Sequence, residues 1–127
     1  MMRVGIKNVK TIIVSAENTA AALGSGELEV FATPALAALA EAACWQSVAG
    51  ELKASQTSVG TSLTLRHLAA TPLGGELRCE SELIEADGRR LVFRIEVSDS
   101  AGLVGEGEHE RFIVDKEKFL SKAEGRR

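Results

Sequence analysis

Residues 33–50 read TPALAALAEAACWQSVAG, and this stretch decides the fold. Thr33 is a good helix N-cap and Pro34 suits the first helical position, where its missing N–H is not needed. An Ala-rich run follows up to Gly50 and predicts the one long helix of the chain. Its apolar residues Ala35, Leu36, Leu39, Ala40, Ala43, Cys44 and Val48 wrap most of the way round, which predicts a helix enclosed by other structure. The many alanines allow a sheet to approach closely.

Upstream, Val9 to Ala16 (VKTIIVSA) has the β-branched content of a strand, and Glu17 to Gly26 (ENTAAALGSG) reads as a mobile loop. Downstream, four segments alternate with period two: Ser58 to Leu68, Glu76 to Ala86, Arg90 to Ser98 and Leu103 to Val114. Asp87-Gly88 marks a hairpin between the second and third, and Asp99 to Gly102 turns the third into the fourth. Asp115 can cap a short closing helix through Ala123. One long helix after the first strand, then a meander of four strands, predicts an α+β architecture in which a curved antiparallel sheet wraps a central helix. That is the hotdog arrangement. A single sheet layer around one helix leaves edges and helix ends poorly covered, so such a protomer is expected to pair as a homodimer or dimer of dimers.

At 127 residues the chain fits one domain, 1–127, and can bury roughly two-thirds of its unfolded surface. Cys44 and Cys79 lie in apolar segments without ligand-pair spacing or a secretory leader, and read as reduced thiols of a cytoplasmic protein. The longest apolar run, Val30 to Ala40, is broken by Thr33 and Pro34 and is far shorter than the ~20 residues that span a bilayer, so no membrane partner is expected. A net charge of −3 and an aromatic fraction of 4% without Tyr argue against a nucleic-acid surface. Two histidines, His67 and His109, without ligand spacing on a helix disfavour a zinc hydrolase, and no cofactor or metal is expected. A Ser-centred hydrolase is disfavoured because no G-x-S-x-G elbow occurs.

Between Glu29 and Glu51 the only charged residue is Glu41, a carboxylate in the most apolar element of the chain. Either chemistry uses it, or it lies on a narrow wet stripe with Gln46. Period-two register puts Val59, Leu63, Leu65 and His67 on one apolar face, so the imidazole points inward, as a core residue or as a catalyst. Thr33 needs no function beyond capping. Eight residues separate Thr33 from Glu41, about 12 Å of helical rise, so the two can flank a substrate without touching.

The segments Val30-Phe31-Ala32-Thr33, Glu41, Thr57 to Thr61, His67-Leu68-Ala69-Ala70-Thr71-Pro72, Glu85 to Leu91 and Gly105 to Arg111 together resemble the fluoroacetyl-CoA thioesterase group of hotdog proteins. The resemblance spans roughly Val30 to Phe119. It implies that Thr33, Glu41 and His67 fall on that group's catalytic Thr, Glu and His. It also implies that Gly60 falls on a substrate-binding glycine near the thioester carbonyl, and Arg111 on the Arg of a His-Glu-Arg segment that meets substrate. Acyl-CoA is the implied substrate, with its phosphates near basic groups such as Arg89, Arg90 or Lys116. One departure lies upstream of Val30. Where the fluoroacetyl-specific enzyme has gating phenylalanines, this chain reads Ala21-Ala22-Leu23-Gly24-Ser25-Gly26-Glu27-Leu28, which implies some other short or medium acyl group. Two rival readings share the fold: an enoyl-CoA hydratase or dehydratase, and a non-catalytic acyl-CoA-binding dimer.

Overall fold

The computed structural model describes residues 2–127. Five strands, β1 (Lys7–Ile13), β2 (Gln56–His67), β3 (Glu76–Asp87), β4 (Arg90–Asp99) and β5 (Gly102–Asp115), form one antiparallel sheet in the order β1-β3-β4-β5-β2. The helices are a single turn, α1 (Ala20–Leu23), the long α2 (Thr33–Val48), and the closing α3 (Lys116–Glu124). Each strand overlaps the segment expected for it, with ends displaced by up to three residues, and β1 stops at Ile13, three residues short of the expected Ala16.

Alternation explains the core. Leu77, Cys79 and Leu83 of β3 and Leu91, Phe93, Ile95 and Val97 of β4 are all fully buried on the sheet's concave face. Against them α2 lays Leu36, Leu39, Ala40, Ala43, Cys44 and Val48, spaced at three and four residues and equally buried. The expectation of an enclosed helix needs correcting for the single chain. Ala38, Trp45 and Gln46 on the far side of α2 are exposed, so the sheet clasps the helix from one side only. The segment expected to be a loop also carries structure. Thr19 accepts from the Ala22 N–H at 3.2 Å and caps α1, whose backbone pairs back through Ala20 N–H to Val30 and Ala21 N–H to Leu28.

Two irregularities place the site. Phe31 and Ala32 are bonded through their N–H groups to the carbonyls of Thr71 and Asn18, at 2.9 Å each, so the chain enters α2 with Ala32 as N-cap. Thr33 is therefore the first helical residue and not the cap, and its hydroxyl is left free for another partner. In β2, Gly60 pairs with Arg111 but Ser62 already pairs with Glu110, so Thr61 is an extra, bulged residue. One extra residue reverses which side chains face inward. Ser58 and Gly60 point at the helix before the bulge, and Leu63, Leu65 and His67 after it. Val59 consequently faces outward beside Phe112, on the side opposite His67, contrary to an unbroken period of two.

Candidate active site

The seam between α2 and β2 holds two polar clusters. At its upper end Thr33 Oγ1 lies 2.8 Å from His67 Nδ1. Opposite His67, β5 carries Gly105, where a Cβ would come within 3.1 Å of Leu36 Cδ2 and 2.9 Å of the Arg66 carbonyl, so the first turns of α2 lie close on the strand. Burial holds the His67 pKa below its ordinary value, so the ring is neutral at pH 7. Its Nε2 is buried and, among the described residues, has no hydrogen-bond partner. Both residues open onto a cleft of about 290 Å³ whose wall includes Ala20, Ser25, Val30 and Leu68.

Two helical turns on, Glu41 Oε2 receives Arg111 Nη1 at 3.2 Å and stands 3.5 Å from His109 Nε2. Arg111 is 6% exposed and His109 is 2% exposed, side by side on the inward face of β5. Arg111 Nε donates to Ser58 Oγ and Nη2 to the Ser58 carbonyl, both at 2.8 Å, so the guanidinium is pinned by the strand just before the bulge. Burial pulls the Arg111 pKa down and the Glu41 carboxylate works against that pull. Gly60 completes the cluster, since a Cβ there would stand 2.5 Å from Glu41 Oε2, 3.1 Å from His109 Cε1 and 3.4 Å from Arg111 Nη1.

The five residues expected from sequence thus lie along one seam but not in one knot. Thr33 meets His67, while Glu41 meets Arg111 beside Gly60, bonded to its guanidinium and 3.5 Å from His109 Nε2, with no bond to His67. Ser58 and His109 were missed as members. His109 was readable in principle, because it sits two residues before Arg111 and so shares its face. Ser58 was not, because the bulge hides its orientation. Of the basic groups considered for phosphate, Arg89 is within 3.8 Å of Asp115, and Arg90 pairs with Glu85 and Glu110 at 3.0 and 3.1 Å.

The crowding at Gly60 makes Gly60→Ala informative. The Glu41 side chain is 44% exposed and can swing away, so the added methyl should cost less than about 2 kcal/mol of stability. Displacing the carboxylate should lower kcat roughly 10- to 100-fold. Thermal melting and thiol-release kinetics on the same preparation would check both.

Comparison with known proteins identifies the family to which the chain belongs. The profile of the family described as fluoroacetyl-CoA-specific thioesterase matches residues 14–117, most of the chain. The chain belongs to this family. The fluoroacetyl-CoA thioesterase of Streptantibioticus cattleyicolor is 39% identical over 94 residues, 74% of this chain and 68% of that enzyme. A crystal structure of a fluoroacetyl-CoA thioesterase superposes with a TM-score of 0.93 at 34% identity, covering 100% of this chain and 98% of that one. A point variant of such an enzyme in complex with acetyl-CoA gives a TM-score of 0.91 at 33% identity, covering 98% of each chain. As a family member with the hotdog fold, this chain is an acyl-CoA thioesterase. Among the described residues no helix is long and apolar enough to cross a membrane.

Proposed function

We propose that the chain hydrolyses a short or medium acyl-CoA thioester to free acid and CoA, using Thr33, Glu41 and His67 at a groove completed by a second copy. The observation that carries this reading is the Glu41 carboxylate fixed by a buried arginine on the same helix that presents Thr33 to His67. Hydrolysis forms a C–O bond to the carbonyl carbon and breaks the C–S bond, and the departing thiolate takes a proton. Glu41 either attacks the carbonyl or takes a proton from the attacking water. With Thr33 as donor to Nδ1 of neutral His67, the ring proton stands on Nε2, suited to relay to the thiolate. The Gly60 N–H helps bind the oxyanion. Arg111, whose guanidinium is occupied by Ser58, His109 and Glu41, serves by holding the carboxylate.

The second copy is supported by the sheet. Among the described residues strand β2 pairs with β5 alone, leaving its other row of backbone N–H and C=O groups free at the sheet edge. A copy adding there would wall both clusters.

Acyl preference follows from the cleft at Thr33. Its wall includes Phe31 beside Ala20, Ser25, Val30 and Leu68, and the α1 segment adds no aromatic side chain to it. A hydrophobic pocket gains only ~1–3 kcal/mol per methylene, so strong selection of a fluorinated two-carbon group requires a dedicated shape. Thiol release with fluoroacetyl-, acetyl- and butyryl-CoA is expected to show no large advantage for the fluorinated substrate, and butyryl-CoA turned over at least as well as acetyl-CoA. A preference for fluoroacetyl-CoA above roughly a thousandfold, about 4 kcal/mol, would overturn this.

A further inference from the structure

His109 has no role in the reaction as described, yet its surroundings fix its chemistry. Nδ1 lies 2.8 Å from the Ser62 carbonyl oxygen, which can only accept, so Nδ1 carries the proton. In the neutral ring Nε2 is then a lone pair. Facing it at 3.0 Å is Arg111 Nη1, which can only donate. Both bonds therefore run in one direction, and one tautomer alone satisfies them.

Nη1 has two hydrogens. One goes to His109 Nε2 and the other to Glu41 Oε2, while Ser58 takes Nε and Nη2. The imidazole thus sets the angle at which the guanidinium addresses the carboxylate. Phe93 of β4, with its ring centroid 6.4 Å from that of His109, closes another side.

We propose that His109 is a positioning residue, an obligatory neutral acceptor that aims Arg111 Nη1 at Glu41 and so keeps the carboxylate beside Gly60. The proposal rests on the reading of Glu41 as catalytic. Protonating His109 would set one N–H against another at 3.0 Å and place a second cation beside Arg111. The new Nε2–H, 3.5 Å from Glu41 Oε2, would compete with Arg111 for the carboxylate and draw it out of place. The charged groups that face the ring are Glu41 on α2 and Arg111 on β5, while β2 contributes the Ser62 carbonyl and β4 the Phe93 ring. Cys44, the remaining titratable group near Glu41 and Arg111, is pushed up to about 12 by burial and stays a neutral thiol. Burial also lowers the His109 pKa, which keeps the acceptor form at pH 7.

Two substitutions separate positioning from packing. His109→Gln keeps an acceptor toward Arg111 and cannot take up a proton, whereas His109→Leu fills the space and offers no acceptor. At pH 7.5 the Leu variant is expected to lose roughly 30- to 100-fold in kcat with KM nearly unchanged, and the Gln variant to stay within about tenfold of wild type. In the Glu41→Gln background the Leu substitution should cost almost nothing more, because its effect passes through Glu41. The acid limb of the His109→Gln kcat profile should be shallower than that of wild type by one proton. Equal loss in the two backgrounds, a Gln variant as impaired as Leu, or an unchanged acid limb would overturn the proposal. If the Leu variant does not fold, the Gln variant's acid limb decides. Full activity in Glu41→Gln alone would instead sink the reading of Glu41.

Discussion

Glu41→Gln is expected to lower kcat by about 10²- to 10⁴-fold, some 3–5 kcal/mol of barrier, while leaving the melting temperature nearly where it was. The amide keeps the shape of the side chain, and its oxygen still accepts from Arg111 Nη1, now at 3.2 Å from Glu41 Oε2. Packing is therefore preserved. Lost are the negative charge and the basic lone pairs, and with them either nucleophilic attack or proton abstraction. Were Glu41 only a polar residue on a wet stripe of α2, the amide would turn over normally. Initial rates of free-thiol release, alongside a thermal melt, separate the two outcomes.

The second large effect is on stability. Arg111→Lys keeps the charge but replaces a planar fork of five N–H groups with a point cation. A lysine cannot reach Ser58 Oγ, the Ser58 carbonyl, His109 Nε2 and Glu41 Oε2 together, as Arg111 does at 2.8, 2.8, 3.0 and 3.2 Å. Several acceptors in a buried pocket are left unsatisfied, and the loss is expected to be about 2–3 kcal/mol, or roughly 10 °C in Tm. Activity should fall as well, because the carboxylate loses its anchor. A variant melting within a degree or two of wild type would show that the network does not hold β5 to β2.

Much of this was legible in the sequence, for identifiable reasons. The helix from Thr33 and the four alternating strands announced themselves because each buries a face against the other, and periodicity records that burial. Glu41 stood out because a lone charge in an alanine-rich helix demands a partner. What the sequence concealed was set by backbone events without a composition signature. Bonds from Phe31 and Ala32 to distant carbonyls moved the helix cap from Thr33 to Ala32. The bulge at Thr61 turned Val59 outward and Ser58 inward. The pairing of Arg111 with Glu41 was hidden as well, because long-range strand pairing, not local spacing, brings the two together.

The fate of the thioester decides between hydrolysis, hydration and binding. Purified protein should be given acetyl-CoA and an enoyl-CoA side by side, and free thiol, free acid and 3-hydroxyacyl-CoA followed with time. Free thiol and free acid should appear in equal amounts and continue well beyond one equivalent per subunit, with no hydrated product. Tight binding of acyl-CoA without thiol release, or hydration of the enoyl group with the thioester intact, would contradict it.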